Sequence, residues 1–63
     1  MGDKNIKAAA IDMINMFNES GDSYEFTKSV YNIKISNKRL YDAIIAELKD
    51  NENKYNVKYL NAV

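Results

Sequence analysis

The stretch SVYNIKISNKRLYDAI, residues 29–44, decides how this chain folds. Val30 and Ile33 fall on one face of a helix, Ile35 is expected in a turn, and Leu40, Tyr41, Ile44, Ile45 and Leu48 form a second apolar stripe at helical spacing. Ser36, just before NKRLYDAIIAELKD, is the expected N-cap of a helix over about 37–49, and the cluster DNEN at 50–53 is its expected stop.

Upstream, Ile6, Ala10, Met13, Ile14 and Phe17 recur at helical spacing, with Lys7, Asp12, Asn15 and Asn18 on the other side. Asp3 as N-cap and Gly21 as stop place an amphipathic helix at about 4–19. The segment DSYEFTKSVYNI that follows allows two readings. Asp22 and Glu25 resemble a capping box, with Phe26, Val30 and Ile33 then on one helical face. Alternatively Tyr24 to Phe26 is a short strand and Thr27 caps a shorter helix; residues 26–33 are helical in both.

In the tail KYNVKYLNAV, Tyr55, Val57 and Tyr59 alternate with Asn56 and Lys58, as in a half-buried strand. A lone strand needs a partner, and residues 23–26 are the candidates; Tyr55 and Tyr59 also stand four apart, which suits a short helix. The expectation is one small domain over residues 1–63, mainly α, a compact three-helix domain with a possible short C-terminal β-strand.

Composition narrows the function classes. With no Cys and no His, neither a disulfide framework nor the usual zinc sites can supplement a small core, so packing must, and a homodimer would add buried area. No apolar run is long enough to span a bilayer, and MGDKNIK lacks the apolar core of a signal peptide, so a cytoplasmic protein is expected. Glycine-rich phosphate loops and metalloprotease or kinase signatures are absent. Carboxylate pairs such as Glu47 with Asp50 read as surface or capping groups, so neither an enzyme nor a cofactor is expected.

Nine basic and nine acidic side chains balance, yet residues 1–27 carry two Lys against five acids while residues 28–63 carry seven basic groups against four acids. A neutral chain can therefore present a basic face. The heavy use of Asn, Lys, Ile and Tyr, with no Pro or Trp and a single arginine, Arg39, fits an AT-rich genome of the kind that carries small phage or mobile-element proteins.

Val30 at a helix crossing, Ile33 near a helix end, Ile35 in the turn, and Leu40 and Ile44 fixing the next helix form a spacing that resembles the helix-turn-helix of phage-type repressors and winged-helix proteins over residues 26–48. The chain departs from that pattern with Val30 where a small residue is usual and Lys34 where Gly is usual. The resemblance implies a DNA-binding transcriptional regulator or excisionase-like accessory factor of a phage or mobile element. The helix starting near Asn37 would enter the major groove. Asn37 and Arg39 would reach base edges, Lys28, Lys34 and Lys38 would neutralise phosphates, and Lys49 would extend the positive face. Ala43 and Ala46 would let the helix backbone approach closely.

A protein-binding adaptor or inhibitor on the same scaffold is the other reading, with Ile11, Tyr55, Tyr59 and Leu60 as exposed anchors. The third-helix face discriminates: a continuous positive patch suits DNA, whereas an apolar patch rimmed by both signs suits a protein.

Overall fold

The computed structural model describes residues 3–60 and contains three helices, α1 (Asp3–Asn18), α2 (Ser23–Ser36) and α3 (Lys38–Asp50). Helix α1 ends as its sequence requires. Gly21 adopts a left-handed φ of 68° and its N–H donates to the Phe17 carbonyl at 2.9 Å, satisfying a carbonyl that helix geometry leaves open. The capping role expected of Asp3 lies outside the described side chains.

Helix α2 begins at the Asp22 cap rather than after a strand. The Asp22 carboxylate accepts the Glu25 N–H at 3.1 Å, the forward half of the capping-box pattern. The helix then runs through residues 34–36, where a turn was expected. Within it, the Ser36 hydroxyl donates to the Asn32 carbonyl at 3.0 Å, so Ser36 is a helical residue and not the cap of α3.

One residue, Asn37, makes the whole connection. Its N–H donates to the Ile33 carbonyl at 2.6 Å, closing α2, and its side-chain oxygen accepts the Leu40 N–H at 3.2 Å, opening α3. The consequence for packing is geometric. Ile33 and Ile35 lie about 200° apart once both are helical, so they cannot share the core. Ile33 packs inward and Ile35 is left 70% exposed.

Helix α3 is the centre of the bundle: it packs along both α1 and α2, which touch each other little. The buried core consists of Ala10 and Ile14 from α1, Phe26 and Val30 from α2, Ile44 from α3, and Tyr55 and Val57 from the tail. The main direct tie between α1 and α2 is aromatic. Phe17 and Phe26 meet edge to face with ring centroids 5.6 Å apart.

No strand forms among the described residues, and neither does a fourth helix. The strand expected over 54–60 is replaced by an extended strap with the same alternation: Tyr55 and Val57 are buried, Tyr59 half-buried, and Asn56, Lys58 and Leu60 exposed. Residues 23–26 cannot pair with it as a strand because they are the first turn of α2. Side chains take that role. The Asn56 N–H donates to Asn18 Oδ1 at 2.6 Å, the Lys58 N–H to Ser23 Oγ at 2.9 Å and the Leu60 N–H to Thr27 Oγ1 at 2.7 Å. Four residues of helix rise about 6 Å and two residues of extended chain about 6.6 Å, so hydroxyls at 23 and 27 match N–H groups at 58 and 60.

Candidate interaction surfaces

The expected DNA-contacting residues are all exposed, but the fold separates them. Lys34 and Lys38 gather at the corner where α2 meets α3, whereas Arg39 borders the groove between α1 and α3. Lys34 Nζ stands 5.6 Å and Lys38 Nζ 6.0 Å from the centre of the Tyr41 ring, whose edge meets Tyr59 at a centroid distance of 6.0 Å. Lys28 sits further up α2, its Nζ 5.5 Å from the Tyr24 ring. Lys49 lies in the last turn of α3, about 16 Å along the axis from Lys38, and borders a different groove.

Asn37 and Lys38 have partners that limit a DNA role. Asn37 uses its side-chain oxygen on the Leu40 N–H, and Lys38 pairs with Asp42 at 3.1 Å. Such an exposed i,i+4 pair stabilises the helix by under about 1 kcal/mol, so it can be exchanged for another anion.

The outer side of α3 is a ridge between two open grooves. One, of about 410 Å³, runs between α1 and α3 with Ile6, Ala43 and Ala46 as apolar lining and Lys7, Arg39, Asp42 and Asp50 around them. The other, of about 360 Å³, separates the strap from α3 and is bordered by Ile45, Leu48, Lys49, Lys58 and Tyr59. Small apolar residues rimmed by both charge signs make the third-helix face a mixed surface. It is not a continuous positive patch.

A buried polar group lines the first of these grooves. Glu47, expected at the surface, is only 7% exposed, and its Oε2 accepts the Tyr55 hydroxyl at 2.8 Å and the Asn51 amide at 3.0 Å. Burial raises the Tyr55 pKa above its ordinary value of 10.0, and the hydrogen bond to Glu47 and the Glu47 charge push it the same way. Tyr59 is also raised, first by burial and then by its hydrogen bond to Tyr41. These two tyrosines hold the strap and are not free to serve as anchors.

Of the four anchors expected from the sequence, Tyr55 is buried, Ile11 and Tyr59 are half-buried, and Leu60 remains 38% exposed. The larger apolar surface is one that sequence reasoning missed. Tyr24, Tyr31 and Ile35 are 58%, 43% and 70% exposed, and with Lys28 they form a line along the outer side of α2. Their spacing, i, i+7 and i+11 with Lys28 at i+4, is the seam pattern of a helix that packs against another helix. The signal was present in the sequence as a second apolar periodicity, hidden because Ile35 was read as a turn residue.

Among the described residues, no helix is long and apolar enough to cross a membrane. No family model matches the chain, and no curated protein or solved structure shows significant similarity to it.

Proposed function

We propose that this chain is a protein-binding module, an adaptor or inhibitor that presents the outer side of α2 to a partner. The observation that carries this reading is the exposed line of Tyr24, Tyr31 and Ile35 on a helix whose opposite side already supplies Phe26, Val30 and Ile33 to the core. Side chains left this exposed bury only part of their apolar surface in the fold. Buried against a partner, a tyrosine or isoleucine becomes the kind of anchor that dominates interface energies.

The test is capture from an extract of the source cells, with the wild-type chain compared with Tyr31→Ser/Ile35→Ser. A defined protein retained by the first and lost by the second is the expected result. Equal capture by both would remove α2 from the interface.

A second reading has its own support. Residues 28–41 carry Lys28, Lys34, Lys38 and Arg39 with no acid among them, as a DNA-binding corner would require. In a regulator or accessory factor of a mobile element, α3 would then enter the major groove, with Arg39 on a guanine and Lys28, Lys34, Lys38 and Lys49 on phosphates. Asp42 and Asp50 on the same helix oppose it. This reading expects Lys38→Ala to weaken binding on all duplexes and Arg39→Ala to relax sequence preference. Fluorescence anisotropy on mixed random duplex at about 50 and 200 mM salt measures the first effect, and steep salt dependence would favour DNA over protein.

A further inference from the structure

The apolar line on α2 is embedded in positive charge. Lys28 lies within it, held over Tyr24, and Lys34 follows one turn after Val30 and Tyr31, its Nζ over the Tyr41 ring that it shares with Lys38, the partner of Asp42. The only acid on α2 is Glu25, in the first turn, so both charged side chains beyond it, Lys28 and Lys34, are basic. From Tyr24 to Ile35 the line spans about 16 Å, close to three turns of an opposing helix.

Resting on the protein-binding reading, we infer that this surface docks an acidic amphipathic helix of a partner protein. Apolar residues of that helix cover Tyr24, Tyr31 and Ile35, and its carboxylates face Lys28, Lys34 and Lys38. Charge complementarity selects this occupant over a second copy of the chain. The midpoint between residues 24 and 35 lies between 29 and 30, so two copies paired antiparallel about it would set one Lys28 within about 4.5 Å, along the axis, of the other. Like charges so placed oppose self-pairing. Duplex DNA matches the charge but leaves the apolar side chains in the middle of the surface without a counterpart.

The experiment uses two synthetic amphipathic helical peptides with the same leucine face, one flanked by Glu and the other by Lys, titrated into the isotope-labelled full chain. The Glu-flanked peptide is expected to shift amide resonances of α2, and to bind at least about tenfold more tightly than the Lys-flanked one. Lys34→Glu/Lys38→Glu should remove that preference, and Ile35→Ser should weaken both peptides alike. Equal affinity for the two peptides, shifts confined to the grooves beside α3, concentration-dependent self-association through α2, or displacement of the peptide by duplex DNA would each overturn the inference. If neither peptide binds while capture from extract still depends on Tyr31 and Ile35, the acidic-helix partner is refuted and the protein-binding reading stands. If capture is also indifferent to them, both fall.

Discussion

The two sides of α2 are made of similar residues and have opposite fates. Phe26 and Val30 on the inner side are fully buried, whereas Tyr24 and Ile35 on the outer side are more than half exposed. What separates them is cover. The inner side is enclosed by α1, by α3 and by the strap, whose N–H groups are tied to Ser23 and Thr27; the outer side is left largely open, with Tyr24, Tyr31 and Ile35 58%, 43% and 70% exposed. An apolar residue stabilises a fold only to the extent that something removes it from water, so the same helix serves both core and surface.

The largest expected break is on the inner side. Phe26→Ala removes the largest fully buried side chain and its contact with Phe17, and should destabilise the domain by about 3–5 kcal/mol. A chain of this length has a total stability of only about 3–9 kcal/mol, so denaturant titration should find this variant largely or wholly unfolded.

Next comes the cover itself. Tyr55→Phe deletes the hydroxyl that donates to buried Glu47 and should lose about 2 kcal/mol, read as a lower denaturant midpoint with little change in slope. The same tyrosine gives the fold an alkaline limit. Its folded pKa is raised, so its contribution is complete below pH 10.0, the ordinary tyrosine value, and is lost as pH climbs through the higher folded value. Wild-type stability should therefore fall above that pH, and the fall should be shallower in Tyr55→Phe. Thr27→Val keeps the volume but removes the acceptor for the Leu60 N–H and the donor to the Lys58 carbonyl, and should lose about 1–2 kcal/mol. Faster amide exchange at residues 58 and 60 would show that the strap has loosened.

How much of this was legible in the sequence follows from which interactions are local. Helix α1 and helix α3 were readable to within about a residue at each end, because apolar periodicity and caps such as Gly21 are written in neighbouring residues. The alternation of the strap was also readable. Its partner was not, since Ser23 and Thr27 are hydroxyls on a helix and nothing local marks them as substitutes for a strand edge. Glu47 looked like a surface acid because its hydrogen-bond donor, Tyr55, is brought to it by the strap. The fate of Ile35 turned on one junction. With Asn37 capping both helices, α2 gains residues 34–36 and Ile35 rotates outward, which makes an expected turn residue the most exposed member, at the C-terminal end, of the candidate surface.

The smallest predicted effect tests the central claim, that the outer side of α2 is spare in the fold, most directly. Thermal unfolding of Tyr31→Ser/Ile35→Ser beside the wild-type chain, followed by circular dichroism at several protein concentrations, measures it. A change within about 0.5 kcal/mol is expected, as for substitutions on an exposed surface. For a domain of this size that is a shift in Tm of under about 4 °C, independent of concentration. A fall of more than about 10 °C would mean that Tyr31 and Ile35 hold the fold together, and would contradict the account.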